Sequence, residues 1–439
     1  FQAEDGIRDL VRSRGLGDVY KRQTYILEIF LAVFAFSIIV RMLLSRLNIN
    51  HLRAFGHRVP EYFQDMIDKK TLIRMRNYTM ATSRLNSIEH LTNDIIIISL
   101  VLSGFFVGLS NQISDLNLHF IISGTIFFLS FSFLMGIVEI PFDLYRNFVI
   151  EKRFSFSTLT IRLWITDLIK SVIISLPLTG ILLSVLLSLV FYFPETWWIW
   201  VWIFFICFQL LIMWLYPVVI SPLFNKFDPI ENEELLSRIY DAARKSGIKI
   251  SGLFKMDAGK RSRHSNAYFT GIGKTKRIVL FDTLVDSHTT DEIAAVLAHE
   301  LGHWKRGHIR KQLILSMGVS LASLYMAYIF VNKDLLYSTF GFEGTTAYIG
   351  LFLISIMVKP LAFFFTPIGS MLSRSFERQA DDYVFHIEGN TESLRNALKQ
   401  MARDNLSNLH PHPIYAWFYF SHPPLVERIE RLERIDRVK

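Results

Sequence analysis

Cysteine is nearly absent. Cys207 is the sole one in 439 residues, and it lies inside an apolar run. This excludes a disulfide framework and a thiolate-bound metal, so any metal must use histidine and carboxylate ligands. Charge is also thin: Asp, Glu, Lys and Arg make up 20% of the chain against 51% hydrophobic residues, and the mean hydropathy is +0.31. That balance is too apolar for an ordinary soluble domain and implies several membrane spans. No internal repeat or low-complexity linker is present. Residues 1–23 lack the apolar core of roughly 7–15 residues that marks a signal peptide. They start at Phe1, are dense in Arg and Lys, match nothing downstream, and read as a non-native extension. The net charge of +8 is assigned to basic loops facing the cytoplasm, with no nucleic-acid partner.

What is present begins with apolar runs. Seven, near 25–44, 94–112, 119–141, 168–193, 197–219, 312–331 and 347–368, are long enough to cross a bilayer, which takes about 20 helical residues. The first loop carries Arg46, Arg53, Arg58, Lys69, Lys70, Arg74, Arg76 and Arg84, and the third carries Arg146, Lys152, Arg153 and Arg162. The second and fourth carry no Lys or Arg, and the sixth only Lys333. Basic loops should face the cytoplasm, which puts 220–311 and 369–439 on that side together. The sequons at Asn77 and Asn405 then stay unmodified. Glu28, Glu139, Lys170 and Lys359 fall within spans, where a charge faces a partner or a water-filled cavity, or snorkels from a span end. Trp197, Trp198, Trp200 and Trp202 suit an interfacial belt, with cavity lining as the alternative.

The chemistry centres on His299-Glu300-Leu301-Gly302-His303. On a helix, His299 and His303 share a face one turn apart and can grip one Zn2+, while Glu300 reaches a water at the same ion. Thr289 and Glu292 form a capping-box pattern, and the apolar run 294–298 continues the helix. Such a pattern also arises by chance; its place on a capped helix is what gives it weight. A catalytic zinc needs a third protein ligand. Glu377 offers one, and Asp381, one turn on, could accept a hydrogen bond from the outer nitrogen of His299. A solvated, ion-paired helix face is the competing reading. Glu300 would serve as general base, and His422 and Arg374 are candidate donors to the developing oxyanion. Alternatively, Arg374 pairs with a carboxylate and His422 is structural. His308 falls off the metal-binding face. The run His264 to Phe269, with Asn266, Ala267 and Tyr268 as substrate-binding candidates, reads as a strand paired with 277–281 in a small β-hairpin whose edge could hold an extended peptide.

These segments, together with Pro141-Phe142, Tyr145, Phe148 to Glu151, Pro222 to Phe227 and Ser421-His422-Pro423-Pro424, resemble the Ste24-type family of integral-membrane zinc metalloproteases (M48 type), which process prenylated CaaX proteins. The resemblance runs from about residue 25 to the end. It implies an all-α integral membrane protein: seven transmembrane helices around a large water-filled chamber, closed by a zincin-like protease domain on the cytoplasmic side. In this division 24–219 holds the first five spans, 220–311 the zinc helix and edge strand, 312–368 the last two spans, and 369–439 the third ligand. Glu28 and Lys359 would face chamber water. The implied substrates are prenylated proteins or peptides cut on the C-terminal side of the modified cysteine. Clearance of misfolded or translocon-stalled proteins is a second role. The chain departs from the family at Phe154-Ser155-Phe156-Ser157, where glycine and asparagine are usual.

Compact loops and the lack of a retention signal suit a bacterial inner membrane, with the endoplasmic reticulum the eukaryotic alternative. A transporter or channel with a structural zinc is the rival from another class, and a scaffold with a dead site is a third.

Overall fold

The structure is a computed structural model that describes residues 2–270 and 277–438. Side chains are described from Tyr25 onward, so the reading of 1–23 as an extension lies outside them. Helix α1 spans Gln2–Phe55, α2 Lys69–Leu102 and α3 Phe105–Asp115. Then come α4 Phe120–Tyr145, α5 Ile161–Tyr192, α6 Trp197–Leu215 and the single turn α7 Ser221–Phe224. The chain continues through α8 Glu233–Ser246, α9 Asp282–Ser287, α10 Thr290–Lys305 and α11 His308–Val331. The last helices are α12 Asp334–Thr339, α13 Ala347–Glu388, α14 Glu392–Asp404, α15 Pro413–Tyr419 and α16 Leu425–Val438.

Seven helices are long and apolar enough to cross a membrane. Their contacts close into a ring: α1 packs on α2, α2 on α4, α4 on α5, α5 on α6, α6 on α11, α11 on α13, and α13 back on α1. Only 6–33% of each span's apolar window is buried. A lipid-facing surface accounts for one exposed side of each helix. Exposure this high leaves the opposite side unpacked too, as expected for walls around an open interior. One end of the ring is filled by aromatic packing, with Phe352 of α13 stacked edge-on against Phe106 at 4.7 Å and Phe127 at 5.0 Å.

Two expectations about the spans need correction. The second crossing is 69–102, not 94–112, because Gly104 at φ +72° breaks the apolar run. Basic residues assigned to the first loop therefore lie on helices: Arg46 and Arg53 on α1, and Lys69, Lys70, Arg74, Arg76 and Arg84 on α2. Hydropathy misplaced α2 because polar residues hold it to its neighbours. Arg146 bonds Asn86 and Glu89, and Arg41 bonds Asp94. The tryptophans are not simply a belt: Trp197 is fully buried among Val190, Val201, Ala327 and Val331, and Trp202 Nε1 donates to the Met317 carbonyl at 2.9 Å. Of the in-span charges, Lys170 donates to the Leu223 carbonyl at 2.9 Å.

The expected hairpin is one half of a four-stranded sheet. Strands β1 Phe227–Pro229, β2 Gly252–Met256, β3 Ala267–Thr270 and β4 Arg277–Phe281 run in the order β1-β2-β4-β3. The β3–β4 pair is antiparallel and β2–β4 is parallel. Gly271 and Gly273 lie outside the described residues.

At the departure from the family pattern, Ser155 has φ +65°. A Cβ in that left-handed region costs about 1–2 kcal/mol, whereas glycine carries no such strain. Ser155→Gly should therefore raise the melting midpoint by roughly 1–2 °C, the relief being partly offset by glycine's looser unfolded state. An unchanged or lower midpoint would show that the turn is not strained.

Candidate active site

The two candidate ligand histidines, His299 and His303, sit on a helix whose start is chemically fixed. Thr289 Oγ1 accepts from Glu292 N at 3.3 Å, and Glu292 Oε2 accepts from Thr289 N at 2.9 Å, completing the expected capping box. Residues Ile293 to Ala298 bury α10 in the core of the sheet-bearing region. Gly302 then sets the approach to α13: a Cβ there would lie 3.0 Å from Ala380 Cα and 3.0 Å from Tyr383 Cβ. Glycine lets the two helices touch, and this brings Glu377, 74 positions beyond His303 and 78 beyond His299, opposite them.

The three expected ligand side chains meet. His303 Nε2 lies 3.2 Å from His299 Nε2 and 3.2 Å from Glu377 Oε1, and His299 Nε2 lies 3.4 Å from Glu377 Oε2. Donors bound tetrahedrally to one zinc, at about 2.0–2.1 Å each, sit about 3.4 Å apart. Glu377 Oε2 is buried without a well-directed hydrogen bond, although His422 Nδ1 is only 2.7 Å away. The Glu377 carboxylate faces His303 Nε2 with Oε1 and His299 Nε2 with Oε2, and a buried carboxylate opposite two imidazole nitrogens fits a cation between them. His299, His303 and Glu377 are the one such group among the described residues.

The outer nitrogens are also occupied. Asp381 Oδ1 lies 2.9 Å from His299 Nδ1, the pairing expected from its spacing. His308 Nδ1 lies 3.0 Å from His303 Nδ1, behind that ring and apart from the ligand group. Arg428 was not expected: its Nε and Nη2 donate to the two oxygens of Asp381 at 2.9 and 2.6 Å, and the guanidinium is buried. A signal for it exists, because Arg428 falls on the apolar stripe of Leu425, Ile429 and Leu432. Burial and the Arg428 charge push the His299 pKa down, but Asp381 and Glu377 push it up further, to about 9. A metal binding there must displace that proton.

Glu300 is half-buried, and its carboxylate makes no hydrogen bond to any described residue. His422 is 62% exposed at the mouth. Arg374 is committed elsewhere: Nη1 donates to the carbonyls of Phe420 at 2.6 Å and Ala416 at 3.3 Å, bracing the segment that carries His422. Among the described residues no carboxylate hydrogen-bonds Arg374.

Strand β3 is a sheet edge. Phe281 N donates to Asn266 O at 3.0 Å, so 266, 268 and 270 bond inward to β4, leaving the backbone groups of Ala267 and Phe269 pointing outward. The Asn266 side chain already accepts from Ala267 N at 2.8 Å. Asn405, the sequon residue, is held in bonds to Ser265 N and O at 3.0 and 3.1 Å.

Residues 48–226 match the family model described as CAAX prenyl protease N-terminal, five membrane helices, and residues 229–436 match peptidase family M48. CAAX prenyl protease 1 of Saccharomyces cerevisiae is 35% identical over 400 residues, covering 85% of this chain and 88% of the relative. The chain belongs to peptidase family M48. An Arabidopsis thaliana CAAX prenyl protease 1 homolog is 36% identical over 313 residues, 70% of this chain and 74% of the relative. The crystal structure of S. mikatae Ste24p superposes with a TM-score of 0.85 at 33% identity, covering 92% of this chain and 99% of that one. The M48 chain is thus a multi-pass membrane metallopeptidase, and its ring of spans and small sheet are those of a solved relative.

Proposed function

We propose that this M48 peptidase is a zinc endopeptidase that cuts prenylated CaaX-type proteins near their C-terminus, on the cytoplasmic side of the membrane. The observation that carries the metal assignment is the triangle of His299, His303 and Glu377 donors at tetrahedral spacing. The CAAX prenyl protease relatives favour the substrate class, and their eukaryotic sources favour the endoplasmic reticulum over the bacterial inner membrane.

Bound zinc would supply a Lewis acid that polarises the scissile carbonyl and acidifies water. Glu300, without a hydrogen bond among the described residues, takes the water proton and returns it to the leaving amine. Asp381 fixes the His299 tautomer, and Arg428 holds Asp381 in place. His422 at the mouth donates to the oxyanion; Arg374, bonded to the preceding carbonyls, positions that loop rather than meeting the charge itself. Asn266, Ala267 and Tyr268 present the edge on which an extended peptide lies, with the Asn266 side chain released to the substrate backbone. Segments 220–311 and 369–439 act as one protease unit, since α10 packs on both α13 and α14.

The protein purified in neutral detergent should hold one zinc per chain by elemental analysis. It should cleave a farnesylated CaaX peptide at least tenfold faster than the unfarnesylated peptide or unfolded casein, and lose that activity to a chelator until zinc is restored. Casein cut as fast as the farnesylated peptide would instead favour the quality-control role.

A further inference from the structure

Asn405, just past the end of α14, sits where a neighbouring strand would. Its Oδ1 accepts from Ser265 N at 3.0 Å, and its Nδ2 donates to Ser265 O at 3.1 Å. A side-chain amide bonded to both backbone groups of one residue does what a paired strand does. Residue 266 bonds inward to β4, so Ser265 faces outward, on the same side as Ala267 and Phe269. The edge upstream is taken too. Arg263 N donates to Phe156 O at 2.9 Å and Thr158 N to Arg261 O at 3.2 Å, around the antiparallel bridge of Ser157 and Ser262. The edge open to another chain therefore begins at Ala267, whose N–H is met by the adjacent Asn266 side chain.

This plug is braced and stands beside the reaction centre. His264 Nδ1 lies 3.3 Å from Asn405 Oδ1, its ring stacks on Phe156 with centroids 3.9 Å apart, and its Nε2 lies 3.2 Å from Glu151 Oε2. Tyr78 of α2 donates to the other Glu151 oxygen at 2.7 Å. Asn405, His422 and Arg428 line one cavity of 480 Å³, and His422 Nδ1 is 2.7 Å from Glu377. Toward the other end of β3, the Phe269 ring lies 5.2 Å from that of Trp304, the residue after His303. Ser265 and Phe269 are about 13 Å apart along the strand. The ligand triangle thus lies along the stretch 265–269.

Strand pairs are more often antiparallel than parallel. A peptide antiparallel to β3 points its C-terminus at Ser265, and so at Asn405. We propose that Asn405 is a stop for the substrate: it closes the edge at Ser265, so that only chains ending within a few residues of the scissile bond seat fully. The proposal rests on the CaaX reading above and names the residue that makes cleavage a C-terminal event. A longer tail must either push Asn405 off Ser265 or leave the strand early, giving up backbone bonds beside the scissile bond.

The test uses the zinc-loaded protein in neutral detergent with two substrates, a farnesylated CaaX peptide and the same peptide lengthened by four alanines. For the parent protein, kcat/KM should be about tenfold lower for the lengthened peptide. Asn405→Ala should narrow that gap to within about threefold, with mass spectrometry showing the cut still after the farnesylated cysteine. Asn405→Ser, a milder truncation, should do the same and decides the matter where alanine unfolds the chain. Both peptides cut alike by the parent, or an unchanged gap in folded, zinc-loaded variants, overturns the proposal and spares the CaaX reading. A loss that strikes both peptides equally assigns Asn405 to holding β3 alone and overturns it too. If the parent cuts neither peptide, the CaaX reading falls and the proposal with it.

Discussion

Glu300→Gln should lower the rate of peptide cleavage by about 10²–10⁴-fold or more while leaving the metal in place. Its side chain is absent from the ligand triangle, so the metal keeps all three protein donors. Glutamine preserves size and polarity but cannot accept the water proton. The position borders Arg428, whose charge feels the Glu300 carboxylate, so a small change in melting midpoint is compatible with this account. Metal content by elemental analysis and turnover of a farnesylated reporter decide the matter together. Retained turnover with zinc bound would remove Glu300 from the mechanism. Transport of a solute through liposomes that survives the substitution would revive the channel reading, because a structural zinc has no use for an adjacent base.

Arg428→Ala is expected to be the most damaging change at a residue that touches neither metal nor substrate. It strips Asp381 of a two-toothed partner inside the fold and leaves a buried carboxylate half compensated. Breaking such a pair costs about 3–5 kcal/mol. Through Asp381 and His299 Nδ1 it should also weaken zinc binding about 10–100-fold. Arg428→Lys keeps the charge but loses the fork, and should fall between the two. Thermal unfolding and zinc competition with a calibrated chelator measure both effects. Zinc affinity changed less than twofold in Arg428→Ala would show that Arg428 serves the fold alone.

What could be read from the chain follows the range of the physics involved. His299 and His303 were legible because helical spacing is local, and Glu377 with Asp381 because they repeat that spacing. Their meeting depends on Gly302 and Ala380, a packing detail that no periodicity reveals. Arg428 needed a partner 47 residues away, and its one trace is a charge on an apolar stripe. Hydropathy found seven spans but misplaced the second, since Asn86, Glu89 and Asp94 of α2 bond to other helices instead of facing lipid. Arg41 is hidden by its apolar neighbours in the first run. Trp197 looked interfacial because composition cannot tell a membrane surface from a helix–helix seam. Strands β1 and β2 escaped because β2 pairs in parallel with a segment 25 residues further on.

The closed circuit of seven helices also acts as a sieve. Packed neighbours, their axes about 8–10 Å apart, touch along their lengths, so a folded domain cannot pass between them, and a polypeptide reaches the interior only as a single unravelled chain where helices part. Proteolysis inside such a fence selects by looseness before it selects by sequence: any polypeptide with a free, unstructured tail qualifies for inspection, and compact proteins are spared.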